Sequence, residues 1–166
     1  MSKRVKALID RFQLEPHPEG GYFKETYRSE ESIKKMALPD RFSGDRSYST
    51  GIYFLLAGTN VSKFHKIQSD EMWHFYEGDS LTIHEITPDG IYNKHLLGAD
   101  IEQGEQFQLV IRAGSWFGAS VNDPNTYALV GCTVAPGFDF SDFVLAKRNE
   151  LLADYPEYKE IIEKLT

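Results

Sequence analysis

Nine short stretches of β-like sequence follow one another between Tyr48 and Leu145, and they limit the folds open to this chain more than any other feature. Gly51–Leu56, Ser62–Ile67, Glu71–Tyr76, Ser80–Ile86, Ile91–Leu97, Gln106–Ile111, Trp116–Ala119, Tyr127–Val134 and Phe143–Leu145 are the candidate strands. Turn signals such as Ala57-Gly58-Thr59-Asn60, Pro88-Asp89-Gly90, Ala113-Gly114 and Asp123-Pro124-Asn125 separate many of them. Short strands at near-regular spacing fold as an antiparallel sandwich or barrel, not as a parallel α/β sheet. Before this region, Val5, Leu8, Ile9 and Phe12 lie at helical spacing, so residues 3–13 read as an amphipathic helix. Pro16, Pro18 and Gly20-Gly21 end that helix in a glycine-dependent turn, and Tyr22 to Arg28 reads as a strand. Residues 29–46 read as a surface loop. A helical segment at 147–165, with Pro156 near its first turn, closes the chain. With no repeat or linker in view, residues 1–166 read as a single domain whose barrel spans 22–145.

Composition removes several classes of function. A net charge of −7 and the absence of basic clusters argue against a nucleic-acid surface. No apolar run reaches membrane-spanning length, and the charged N-terminus does not read as a signal peptide. The single Cys132 excludes an intramolecular disulfide and fits a reducing compartment, so a cytoplasmic location is expected.

The chemistry concentrates in His65-Lys66-Ile67-Gln68-Ser69-Asp70-Glu71, followed by Gly78. Glu77-Gly78 suits a two-residue hairpin turn, which would place Glu71 opposite His84 and put both on one face with Trp73. A turn one residue longer would pair Glu71 with Glu85. His74 falls on the opposite face, where it reads as a hydrogen-bonded sheet histidine, and His84 admits that reading too. Asp139 and Asp142 read as caps, and Cys132 as a buried small hydrophobe.

The spacing of His65, Ile67, Glu71 and Gly78 resembles the first motif of the cupin superfamily, with Ile67 in place of a histidine. Arg112-Ala113-Gly114-Ser115-Trp116-Phe117 resembles the second motif, with Phe117 where a histidine belongs. Five further segments resemble the DUF985, or cupin-5, subgroup: His17-Pro18-Glu19-Gly20-Gly21-Tyr22-Phe23, Glu25-Thr26-Tyr27-Arg28, Asp70-Glu71-Met72-Trp73-His74-Phe75, Ala113–Ala119 and Ala135-Pro136-Gly137-Phe138. The resemblance implies a mainly β jelly-roll barrel (a double-stranded β-helix) with helices at both ends. It also implies a homodimer and a small-molecule pocket inside the barrel. Cupins ordinarily hold a metal with three histidines and a glutamate. Here only His65 and Glu71 remain, so no metal is expected, and a divalent metal on His65, Glu71 and His84 is the lesser alternative. With the metal gone, His65 and Glu71 become a candidate acid/base pair. Trp73, His84, Trp116, Phe117, Tyr22 and Arg28 become candidate ligand contacts, Arg28 for a carboxylate or phosphate. The functional expectation is a small polar metabolite bound in an aromatic-walled pocket, as by a metal-independent isomerase or epimerase of a sugar or nucleotide-sugar. A non-catalytic binding protein and a metal-dependent cupin enzyme are the alternatives. The plainer reading of Tyr22 to Arg28 is an edge strand that packs against a second subunit.

Overall fold

The computed structural model describes residues 2–166. Helix α1 (Lys3–Phe12) starts where the Ser2 hydroxyl accepts the Val5 N–H at 3.2 Å, and it ends at Gln13 in the left-handed conformation. The strands follow: β1 (Glu15–Pro16), β2 (Tyr22–Arg28), β3 (Ser32–Ile33), β4 (Arg46–Ser47), β5 (Thr50–Ala57), β6 (Val61–Lys66) and β7 (Asp70–Gly78). After them come β8 (Leu81–Ile86), β9 (Tyr92–Leu97), β10 (Gln108–Ile111), β11 (Trp116–Val121), β12 (Tyr127–Ala135) and β13 (Val144–Leu145). Helices α2 (Arg148–Asp154) and α3 (Lys159–Lys164) close the chain. Each of the nine expected strands is present, displaced by at most two residues at an end. Residues 29–46, expected as a loop, contain the small β3–β4 ribbon and a single turn of 3-10 helix at Lys35–Ala37.

Two antiparallel sheets face each other in a jelly-roll arrangement. One has the order β1-β2-β5-β12-β7-β10, and the other β13-β6-β11-β8-β9. The barrel core between them contains Phe54, Leu56, Ile67, Trp73, Ile83, Phe117 and Val130. Two smaller cores lie on the outside. Helix α1 sets Val5 and Leu8 against Leu55 and Leu129 on the six-stranded sheet. The C-terminal helices set Leu151, Ile162 and Leu165 against Phe64 and Ile86 on the five-stranded sheet. These covers explain why β8 and β11 are buried along nearly their whole length: both faces of those strands meet apolar side chains. Among the described residues, no helix is long and apolar enough to cross a membrane.

The connection at Glu77-Gly78 corrects the sequence expectation. Strands β7 and β8 do not form a hairpin: β7 pairs with β10 and β12, and β8 pairs with β9 and β11. The chain passes from one sheet to the other between them. Gly78 has φ +103, and a Cβ there would stand 2.1 Å from the Tyr127 carbonyl oxygen, so glycine is required by a close crossing. Glu71 therefore lies opposite Ile111 and Val134, while His84 lies opposite Gly118 and Lys94. Neither His84 nor Glu85 is the partner of Glu71.

Candidate active site

One end of the barrel is open, and a turn remote in sequence furnishes it. Gly20 and Gly21 have φ of +116 and +70. A Cβ on Gly20 would stand 2.1 Å from the Val61 carbonyl oxygen, so the backbone can press against the start of β6 only as glycine. The Lys63 N–H donates to the Glu19 carbonyl at 2.9 Å and fixes that contact. The turn thereby carries His17 and Glu19 into the barrel mouth, beside His65 from β6 and Glu71 from β7.

The Glu19 carboxyl is buried. One oxygen accepts the Ser62 hydroxyl at 2.7 Å, and the other lies 3.1 Å from His65 Nε2. His65 Nδ1 lies 2.7 Å from the Lys63 carbonyl, which can only accept, so Nδ1 carries a hydrogen. The contact between Nε2 and Glu19 then needs one further proton, resting on the carboxyl or on the ring. His65 and Glu19 are a proton-sharing pair by geometry. The Glu19 N–H donates to His17 Nδ1 at 3.3 Å, which makes that nitrogen the acceptor.

Burial pushes both carboxyls up to about 7, partly offset by His17 for Glu19 and by His65 for Glu71. The charge of Glu19 raises Glu71 further, while the Cys132 thiol donates to Glu71 and lowers it. Burial holds His65 and His17 below the ordinary imidazole range and lifts the Cys132 thiol well above its own. Two carboxyls that disfavour joint ionisation, set around a histidine, can divide the roles of proton donor and acceptor near neutrality.

The cavity walls are mostly apolar. Ile52, Phe54, Ile67 and Val134 form the floor, and Phe23, Phe138, Phe140 and Phe143 stand around the mouth. The cavity volume is about 80 Å³. Arg28 sits at the rim, where its guanidinium holds Glu25 at 3.0 and 2.7 Å and donates to the Phe138 carbonyl at 3.0 Å. Below the rim, a buried two-contact ion pair of Arg46 with Asp142 (2.7 and 2.6 Å) anchors the segment bearing the last three phenylalanines. Asp139 caps Ser141, as expected, whereas Asp142 serves this ion pair.

The structure brings His65, Glu71 and Arg28 together at this cavity and places the other expected contacts elsewhere. Trp73 is buried between the sheets, edge-on to Phe54 and Phe117, and does not reach the cavity. Phe117 packs against His65 with ring centroids 4.1 Å apart and so supports the site from behind. Trp116 points outward from β11, where the Lys66 ammonium lies 4.5 Å from its ring. Tyr22 packs under α1, and its neighbour Phe23 takes the wall position. His84 is on the outer face, bonded to the Tyr92 hydroxyl at 2.7 Å. The reason is strand parity: the sheet-to-sheet crossing reverses the alternation that a hairpin would have carried into β8. Glu19, His17 and the Phe138–Phe143 rim were missed as site residues. The one sequence signal for them was an acidic residue held beside paired glycines in His17-Pro18-Glu19-Gly20-Gly21.

The side chains present do not fit the metal that cupins ordinarily hold. Ile67 and Phe117 supply carbon where ligands would stand, and His84 is outside the barrel. Both His65 nitrogens and both Glu19 oxygens have protein partners. Among the described residues, no group of three or more His, Cys, Asp or Glu side chains is placed to hold a metal ion.

Comparison with known proteins agrees with this architecture. An uncharacterized protein of Saccharomyces cerevisiae is 34% identical over 158 residues, covering 89% of this chain and 78% of its own. A crystal structure of a Shewanella oneidensis protein matches with a TM-score of 0.88 at 40% identity, covering 98% of this chain and 96% of the other. A hypothetical protein from Leishmania major matches with a TM-score of 0.89 at 34% identity, with 98% of each chain covered. Oxalate decarboxylase from Bacillus subtilis matches with a TM-score of 0.56 at 14% identity, over 91% of this chain and 36% of that one, and shows the shared barrel fold alone. Residues 6–146 match the family described as Cupin superfamily (DUF985), and the chain belongs to that family.

Proposed function

We propose that the barrel cavity binds a small metabolite and moves a proton on it without a metal, as an isomerase or epimerase of a sugar-like carbonyl compound does. The observation that carries this reading is the pair of buried carboxyls, Glu19 and Glu71, raised to about 7 around His65 in a solvent-open cavity. An ionised Glu71 would take the proton from the carbon beside a substrate carbonyl. The proton shared by Glu19 and His65 would pass to the developing enolate oxygen. Return of both protons, one of them to a new position or face, gives the isomer with atoms and charge balanced. The apolar walls exclude water and raise the strength of these electrostatic contacts.

A non-catalytic binding role is the second reading, favoured by the fact that Glu19 and His65 already satisfy each other through Ser62 and Lys63. Solvent exchange separates the two. Keto sugars and amino keto sugars are incubated with the protein in deuterium oxide, and carbon-bound protons are followed by NMR. Exchange with the wild type, reduced by about 10²–10⁴ in Glu71→Gln, is expected for general acid/base catalysis. A ligand that stabilises the protein but never exchanges a carbon-bound proton would overturn the catalytic reading in favour of simple binding.

A further inference from the structure

The mouth of the cavity is built as a corner of π faces. The Phe138 and Phe140 rings are 5.0 Å apart and cross at 82°. Phe140 and Phe143 are 6.1 Å apart at 74°, and Phe138 and Phe143 are 6.2 Å apart at 69°. The three rings are thus close to mutually perpendicular, like three walls meeting at one vertex. The His17 ring lies nearly parallel to Phe140 at 6.3 Å and stands edge-on to Phe23 at 4.6 Å. All five rings line the cavity.

Charge around this corner is one-sided. Glu19 and Glu71 line the interior, and Glu25 lines the rim. The one guanidinium present, Arg28, has its Nε and Nη2 on Glu25 and Nη1 on the Phe138 carbonyl, and no lysine is among the lining residues. An anionic ligand would meet carboxyls with no free cation to receive it. A cation would meet aromatic rings, whose π systems attract positive charge, with acceptor oxygens behind them.

We propose that the ligand of this cavity carries an organic ammonium group, seated against Phe138, Phe140 and Phe143 with its charge directed toward Glu19 and Glu71. This inference rests on the reading of the cavity as the ligand site, and it is independent of whether a proton is moved there. It makes the ligand an amino- or ammonium-bearing carbonyl compound if the acid/base reading holds.

Binding of such a cation carries a proton signature. Near pH 6 the two interior carboxyls retain protons, because burial has raised both to about 7. Of the other titratable groups facing the cavity, His17 and His65 are held low and the Cys132 thiol high, while Glu25 is paired with Arg28 at the rim. A permanent cation favours the carboxylate form, so its entry expels protons from Glu19 and Glu71.

The test is calorimetric titration of the full-length protein with choline and with its uncharged isostere, 3,3-dimethylbutan-1-ol. Each titration is run near pH 6 in two buffers of different ionisation enthalpy. Choline is expected to bind about tenfold more tightly than the alcohol, as cation–π and carboxylate contacts predict. Choline binding should release protons to buffer, and alcohol binding should not. Phe140→Leu is expected to weaken choline severalfold and the alcohol by less, so that the preference for the cation narrows. Phe140 is 56% exposed, so this substitution leaves the buried core untouched. Equal affinity for the two probes, preference for the alcohol, or failure of choline to bind overturns the proposal. Failure of carbon-proton exchange would instead overturn the catalytic reading and leave this one standing.

Discussion

Replacing Glu71 by Gln should flatten much of the pH dependence of folding stability between about pH 4.5 and 7. In the native protein the Glu71 carboxyl is raised from its ordinary 4.5 to about 7, chiefly by burial. In that window the native state keeps a proton that the unfolded chain has released, so the native state binds more protons and stability falls as pH rises. The stabilising contribution is complete below about 4.5 and gone above about 7. At about 1.4 kcal/mol per pH unit, the rise corresponds to about 3 kcal/mol lost across the window by this one group. Glutamine keeps the shape and a hydrogen-bonding amide but does not titrate. Urea unfolding at several pH values, for wild type and Glu71→Gln, measures the difference directly. The gap between the two proteins should shift by up to about 3 kcal/mol in favour of the variant between pH 4.5 and 7.5. Some of this range is shared with Glu19, whose removal should act in the same direction. Parallel stability profiles for wild type and variant would refute the claim that Glu71 is held protonated by the fold.

Three further outcomes follow from particular contacts. Asp142→Ala leaves the Arg46 guanidinium buried without its partner and should cost about 3–5 kcal/mol by urea unfolding, whereas the paired replacement Arg46→Met with Asp142→Leu should recover much of the loss. Gly20→Ala would force a Cβ to 2.1 Å from the Val61 carbonyl at a φ of +116, so it should destabilise by more than about 2 kcal/mol in urea unfolding. Cys132 is buried and its thiol is raised well above the ordinary range, so native protein should resist iodoacetamide at pH 8 and label only on unfolding. Labelling in the native state at the rate of a free thiol would show that the cavity floor is open to reagent.

Most of the strand pattern is local information. Val130 and Cys132 alternate with Gly131 and Thr133 along β12, and the turns between strands contain the residues that turns need, so chain order and element type are readable without contacts. The pairing of those strands is not local. Glu77-Gly78 looks the same in sequence whether it closes a hairpin or crosses between sheets, since both uses require the positive φ that glycine permits. That ambiguity moved His84 from the pocket, where the hairpin would have put it, to the outer face. Trp116 was displaced for a related reason. Both faces of β11 are covered by apolar cores, so an aromatic residue there carries no sign of which side it serves.

The amino-acid sequence by itself determined the β architecture, the terminal helices and the family, because strand periodicity, turn chemistry and motif spacing are properties of neighbouring residues. It also determined that Ile67 and Phe117 deny the barrel the ordinary cupin metal ligands. The tertiary structure alone decided what the site contains. Glu19 enters from a glycine turn before the barrel, His65 from the five-stranded sheet and Glu71 from the six-stranded one. Their shared proton and their raised carboxyls arise from burial and proximity, which come into being only when the two sheets close on each other.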